Sequence, residues 1–286
     1  MDQAASLRDG GSRGAFGLKP KAALCCVAVA SGKGGVGKTF VTVNLAVTYA
    51  KMGKKVLLVD ADLGLANADI VLGVHTEYSM QDAIFKGRPL AEIVLHTPYG
   101  VDLIAASSGS REMVSLGGAR MQLFIADLLA LAAEYDVILF DCAAGIDSNV
   151  TAFLAAAPRS LIVVTPQPTA LMDVYALTKI IYQNDLSRNL DLVVNLAENE
   201  RQGVAVAEAL NTVMQRYLSG RVELIGVLPR TELVDIAMKQ RQPLVTLWER
   251  EMIAVRFRQI ALSLLQRRDA TAAGGLDADS LVKGLM

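Results

Sequence analysis

Nine consecutive residues, Ser31-Gly32-Lys33-Gly34-Gly35-Val36-Gly37-Lys38-Thr39, constrain this chain more than any other stretch. Gly32, Gly37, Lys38 and Thr39 satisfy the phosphate-loop pattern G-x-x-x-x-G-K-[ST]. Such a loop turns backbone N–H groups toward phosphate oxygens, and a Cβ at its glycines would obstruct that cradle. Its lysine supplies a point charge for the β- and γ-phosphates, and its hydroxyl is placed to ligate Mg²⁺. The flanks agree. Ala22–Ala30 is an apolar run of buried-strand length, and Phe40–Met52 carries helix-spaced apolar residues. A strand, a glycine loop and a helix N-terminus in that order is the setting that phosphate binding requires. The expected phosphate contacts are Gly32, Lys33, Gly34, Gly35, Val36, Gly37, Lys38, Thr39 and Phe40.

Gly32, Gly34 and Gly37 also spell G-x-G-x-x-G, and Asp60 ends a second apolar run, so dinucleotide binding is the rival reading. Lys38-Thr39 counts against it. A dinucleotide pyrophosphate uses the helix dipole but needs neither a lysine nor a magnesium-binding hydroxyl.

Beyond the loop the chain alternates. Strand-like runs occupy Lys55–Asp60, Val101–Ala106, Val137–Asp141, Leu161–Thr165, Leu190–Asn195 and Leu224–Leu228. Helix-period stretches at Thr39–Met52, Arg120–Glu134, Ser148–Ala156, Ala170–Tyr182, Glu198–Leu218 and Val234–Lys239 lie between most of them. This predicts an α/β fold, doubly wound, with a mostly parallel sheet and helices on both faces. Pro98-Tyr99-Gly100 suggests a turn beside one antiparallel edge strand, and a last amphipathic helix is expected over Glu249–Arg268.

With 286 residues, 52% of them apolar, the chain fits one large core plus tails. The expected division is a tethered N-terminal segment (1–20), the α/β domain (21–268), and a linker with C-terminal tail (269–286). A formal net charge of −1 gives no support to a broad nucleic-acid surface. No apolar run reaches spanning length and no secretory segment opens the chain, so a cytoplasmic protein is expected. Cys25 and Cys26 are adjacent in one strand and point to opposite faces, and no C-x-x-C occurs. Buried reduced thiols follow from this, and two histidines, His75 and His96, cannot make a histidine-rich metal site.

Ligands of such folds sit at the carboxyl ends of the strands, where Asp60, Asp62 and Asp141 fall. Asp141 closes an apolar run, the position from which an aspartate holds Mg²⁺ through water. Thr39, Asp62 and Asp141 are therefore the metal candidates. Asp60-Ala61-Asp62 follows the strand after the loop, where a γ-phosphate-sensing segment is usually found. Asp62 is expected to position the attacking water, and Asp60 to brace the loop. The catalytic candidates are Lys33, Lys38 and Asp62.

Lys33-Gly34-Gly35-Val36-Gly37-Lys38-Thr39 resembles the deviant Walker-A box of the MinD/ParA ATPases. Asp60–Asp69 and Asp141-Cys142-Ala143-Ala144-Gly145-Ile146 are similar to the two switch segments of the MinD branch. Val193-Val194-Asn195 is similar to its adenine-contacting strand end, and Gly226-Val227-Leu228-Pro229 with Arg230 to its base-side turn. Residues 2–8, with Asp2, Gln3, Ala4, Leu7 and Arg8, resemble the D-Q-A-x-x-L-R activator motif of the FlhG branch (also called FleN or YlxH) of flagellar-number regulators. The ATPase resemblance covers about residues 22–267. It implies ATP and Mg²⁺ as ligands, slow hydrolysis, and a homodimer with ATP that is otherwise a monomer. Lys33 would reach across the dimer to the other subunit's phosphates. Gln3 would enter the active site of an FlhF-type GTPase and stimulate it. Flagellar switch proteins or a flagellar transcription activator are the further partners implied.

The tail departs from the MinD pattern of a basic membrane-docking helix. Leu281, Val282, Leu285 and Met286 share one helical face, but Asp277 and Asp279 against Lys283 offer no attraction to anionic lipid. A weak peripheral membrane contact stays open, as does a ParA-type role in DNA partition or the positioning of another cargo.

Overall fold

The computed structural model describes residues 25–107, 111–114, 118–184 and 189–271. Asp2, Gln3, Ala4, Leu7 and Arg8, expected to form an activator motif, and the segments expected to be a tether and a C-terminal tail from residue 272 on lie outside that range.

The Val-, Leu- and Ile-rich runs form one sheet of eight strands. These are β1 (Cys25–Ser31), β2 (Val56–Ala61), β3 (Leu95–His96), β4 (Val101–Ile104), β5 (Val137–Ala144), β6 (Arg159–Val164), β7 (Asn189–Ala197) and β8 (Glu223–Pro229). Their order is β3-β4-β2-β5-β1-β6-β7-β8. Every pairing is parallel except β3 with β4, the antiparallel edge expected beside the Pro98–Gly100 turn. The crossover after β5 places β6 on the other side of β1, so the phosphate loop emerges near the middle of the sheet.

The first six helices are α1 (Lys38–Lys51), α2 (Ala68–Leu72), α3 (Met80–Lys86), α4 (Leu90–Ile93), α5 (Arg111–Val114) and α6 (Gly118–Ala132). Then come α7 (Ser148–Ala156), α8 (Pro168–Gln183), α9 (Glu200–Leu218), α10 (Glu232–Gln240), α11 (Leu244–Leu247) and α12 (Met252–Thr271). They divide into two layers. Met80, Ile93, Met113, Phe124, Phe153, Leu177 and Leu210 place α3 to α9 over one face of the sheet. Val41, Val71, Ala237, Leu244 and Phe257 place α1, α2, α10, α11 and α12 over the other. Each layer buries a continuous apolar stripe, at about 1.5–3 kcal/mol for a fully buried large aliphatic or aromatic side chain.

Period-two alternation sorts the strand residues between these cores. Cys26, Ala28 and Ala30 join the first, while Cys25, Val27 and Val29 join the second, so the adjacent cysteines do point apart. All three cysteines are buried thiols.

Three differences from the sequence reading have local causes. Helices α2, α3 and α4 fill the unassigned stretch after Asp62, because segments of four to seven residues are too short to display a helical period. A reciprocal Ser79–Asp82 capping box starts α3, and Gly87 at φ 68° stops it. Helix α8 begins before the expected Ala170, with Pro168 in its first turn. Strand β5 runs past Asp141 to Ala144, carrying the strand into the second switch segment. Among the described residues no helix is long and apolar enough to cross a membrane.

Candidate active site

The loop links β1 to α1, and two close approaches explain its glycines. Gly37 is left-handed at φ 83°, and a Cβ there would fall 2.4 Å from Asn195 Nδ2. A Cβ on Gly32 would fall 2.3–2.6 Å from backbone atoms of Asp173 and Val174 on α8. Only glycine lets the loop lie this close to both neighbours. The first intrahelical bond of α1 runs from Val41 N–H to the Gly37 carbonyl at 2.9 Å. The N–H groups of Lys38, Thr39 and Phe40 precede it, and no acidic side chain stands in the first turn of α1. That is an anion site at the positive end of a helix.

Alternation also decides what faces this helix end. Val56 and Leu58 of β2, and Val137 and Leu139 of β5, point toward the α1 side. Asp60 and Asp141 continue those rows two residues on, and they are register partners across β2 and β5. Lys38 Nζ lies 2.8 Å from Asp141 Oδ1, and Thr42 Oγ1 donates to the same oxygen at 2.8 Å. Lys38 and Thr42 meet there because residues four apart share a helix face. Burial works to discharge Lys38, but the Asp141 carboxylate more than offsets it and holds the lysine pKa above its ordinary value. Asp141 Oδ2 is buried without a hydrogen-bond partner. A buried carboxylate oxygen left unpaired is rare in native proteins. With the Thr39 hydroxyl on the residue after Lys38, which itself contacts Asp141, this oxygen suits a hydrated divalent cation, so the residues present fit Mg²⁺.

Asp60 braces the segment that follows β2 and not the phosphate loop. Its Oδ1 accepts from Asp62 N–H at 3.1 Å, and its Oδ2 from Asn67 and Ala68 N–H at 3.0 Å each. Burial, with the adjacent Asp141 adding to it, lifts its pKa to about 7 despite these three donors. Asp62 is half-buried, and its Oδ1 accepts from Gly64 and Leu65 N–H at 3.3 and 3.0 Å. The structure therefore joins Lys38 and Asp141 directly, and seats Asp62 on its own switch loop. Among the described residues no group of three or more His, Cys, Asp or Glu side chains could hold a metal. Cys142 points away from the site into the opposite core.

Two expected contacts read differently in three dimensions. The Phe40 ring is buried edge-to-face on Phe257, centroids 6.1 Å apart, so only its backbone can serve a phosphate. Asn195, at the end of β7, donates to the Val36 carbonyl at 2.8 Å and so grips the phosphate loop. Leu196 beside it is left-handed at φ 57°, a conformation costing about 1–2 kcal/mol in a non-glycine residue. Pro229 pairs with Ala197, and exposed Arg230 donates its N–H to the Ala197 carbonyl at 2.8 Å, which brings the β7 and β8 ends together. Lys33 extends away from Lys38 to Gln167 Oε1 (3.1 Å) and Thr169 Oγ1 (3.0 Å). Neither Gln167 nor Thr169 carried any signal in the sequence. Thr42 did, since it stands one helical turn after Lys38.

Comparison with known proteins agrees with this geometry. Residues 25–194 match the family described as an AAA domain. The antiactivator FleN of Pseudomonas aeruginosa is 34% identical over 235 residues, 82% of this chain and 84% of that protein. The flagellum site-determining protein YlxH of Helicobacter pylori is 32% identical over 247 residues, 86% of this chain and 83% of that one. Among solved structures, the septum site-determining protein MinD of Pyrococcus horikoshii, complexed with Mg-ADP, superposes with a TM-score of 0.73. It is 25% identical, covering 86% of this chain and 98% of that one. The chain belongs to the MinD/ParA-type ATPases. Within them it is an ATPase of the P-loop, MinD-like fold, and its sequence stands close to the FlhG branch that FleN and YlxH represent.

Proposed function

We propose that the chain is an ATP-dependent dimerising switch that regulates the number and placement of flagella. The observation that carries the switch is the separation of the two loop lysines. Lys38 serves its own site, whereas the Lys33 ammonium is turned outward onto α8, where it can be exchanged with a second copy. The flagellar role rests on the likeness to FleN and YlxH and on residues 2–8.

In this reading Gly34 to Thr39 cradle the triphosphate through backbone N–H groups, and Lys38 leaves Asp141 for the β- and γ-oxygens. Asn195, Pro229 and Arg230 border the base. Thr39, with Asp62 and Asp141 acting through water, would hold Mg²⁺, which would supply neutralisation of the phosphate charge. Asp62 orients the water that attacks the γ-phosphorus. The partner subunit's Lys33 offsets charge on the transferring phosphoryl oxygens, as an arginine finger does. Without exchanged cations two anionic sites face to face would repel, so dimerisation depends on ATP. Gln3, on its tether, stimulates an FlhF-type GTPase, since tethering raises the motif's local concentration.

Sedimentation with and without ATP tests the switch. Lys33→Ala is expected to bind ATP yet remain monomeric, and Asp62→Ala to form a dimer that does not dissociate. An unaltered ATP dimer for Lys33→Ala would refute the exchange. For the partner, a peptide of residues 1–20 should raise GTP turnover by the GTPase, and Gln3→Ala should remove the rise.

A further inference from the structure

Lys33 and Lys38 belong to one loop and have opposite surroundings. Lys38 is buried on a carboxylate, but Lys33 donates to two neutral oxygens, those of Gln167 and Thr169. Both stand at the start of α8, where Gln167 is the N-cap residue. The Gln167 side chain caps none of the α8 N–H groups and accepts from Lys33 instead. A cation at this place meets the positive end of the helix dipole, and α8 has no acidic residue in its first turn to compensate. Gly32 enforces the approach, since its missing Cβ is what lets the loop entrance rest on the α8 backbone at Asp173. The hold on Lys33 thus consists of two uncharged acceptors working against a helix end.

We propose that Gln167 and Thr169 are positioning residues that keep Lys33 on its own subunit and so set the threshold for dimerisation with ATP. This rests on the exchange of Lys33 argued above. Neutral acceptors make the hold weaker than a carboxylate would, because they lack the Coulomb attraction of an opposite unit charge, and so it can yield when a second copy presents its triphosphate. Two lysines leave their holders for each dimer formed, so any change in the hold enters the equilibrium twice. A carboxylate at position 167 would raise the threshold, and loss of either oxygen would lower it.

The experiment is sedimentation equilibrium of the full-length chain with Mg²⁺ and a non-hydrolysable ATP analogue, reading the protein concentration at half-dimer. Thr169→Val keeps the shape and removes the acceptor, and is expected to tighten dimerisation by about fivefold per released lysine. Gln167→Glu should weaken it by at least as much, and Thr169→Ser should restore the original midpoint. Both sites are exposed, and Gln167→Glu and Thr169→Ser are near-isosteric, so the fold is kept. If the unaltered chain dimerises while Thr169→Val and Gln167→Glu leave the midpoint unchanged, the inference is overturned and the exchange of Lys33 survives. A weaker dimer for Thr169→Val also overturns it, by placing the hydroxyl in the dimer contact instead. An unaltered chain that never dimerises removes both readings at the first step.

Discussion

Two ionic clusters, each built on a buried aspartate, sit at opposite ends of the same sheet, and they are finished differently. At the carboxyl ends, Lys38, Thr42 and Asp141 form a group that leaves one carboxylate oxygen unpaired, next to Asp60 with its raised pKa. At the amino ends of β6 to β8, Arg159 and Arg267 enclose Asp191, and Arg267 also pairs with Glu223. Arg159 in addition donates to the Arg267 carbonyl, tying the last turns of α12 to the sheet. Burial drives Asp191 upward in pKa, and Arg159 and Arg267 only partly restrain it. The lower cluster is closed on itself and serves the fold. The upper one holds an unsatisfied acceptor in a place where an anion site, a hydroxyl and a second carboxylate meet. Among the described residues the hydroxyl oxygens of Ser107, Ser160 and Thr165 are also buried without partners, but Asp141 Oδ2 is the carboxylate oxygen among them. An unpaired carboxylate oxygen is the costliest to bury, and that is what marks the site.

The largest expected effect that would test this contrast is on stability. Arg159→Ala leaves Asp191 buried with only the longer Arg267 contact, 3.6 Å away. Urea unfolding should show a loss of about 3 kcal/mol, the usual cost of removing one partner of a buried pair. Nucleotide affinity should not change, and a fall in it would break the division of labour. Next comes Lys38→Ala, for which calorimetry should show ATP binding weakened about a hundredfold, equal to about 2.7 kcal/mol. Undiminished affinity there would mean that the upper cluster is only another structural pair.

The smallest effect is on pH dependence, where Asp60 at one end and Glu223 at the other have opposite signs. A folded-state pKa of about 7 means that Asp60 binds its proton more tightly folded than unfolded. Its contribution is present at pH below the ordinary carboxylate range and is lost as pH rises toward 7. Glu223 is held low chiefly by its hydrogen bonds from Arg267, so its contribution is present at neutral pH and is lost as pH falls through its folded value. Thermal melts of Asp60→Asn should therefore lack the decline between about pH 4 and 7, and those of Glu223→Gln should lack the decline on the acid side. Parallel profiles for both variants would contradict the contrast.

The parts of the site legible in the sequence were those carried by local spacing. The phosphate loop, the strand ends bearing Asp60 and Asp141, and the alternation that predicts a doubly wound sheet each lie within a single segment. Thr42 could have been added, because a four-residue step from Lys38 is a statement about one helix. Gln167 and Thr169 could not. They reach Lys33 only because the crossover after β5 sets β6 beside β1, and because Gly32 admits α8 against the loop. Likewise Asn195 holds Val36 across 159 positions of chain, a contact that only the β1-β6-β7 neighbourhood creates. The burial of the Phe40 ring was decided by α12, whose Phe257 comes from the far end of the chain.

By itself, then, the sequence determined which backbone groups and charges could meet a phosphate, since a glycine loop between strand and helix has few other conformations open to it. It also determined the α/β architecture, through periods of two and three and a half to four residues that report which side of an element is buried. Tertiary structure alone decided which carboxylate pairs with Lys38, which oxygen stays unpaired, and where Lys33 rests. Those outcomes depend on strand order and on close contact between distant segments, and no short-range pattern of residue types encodes either.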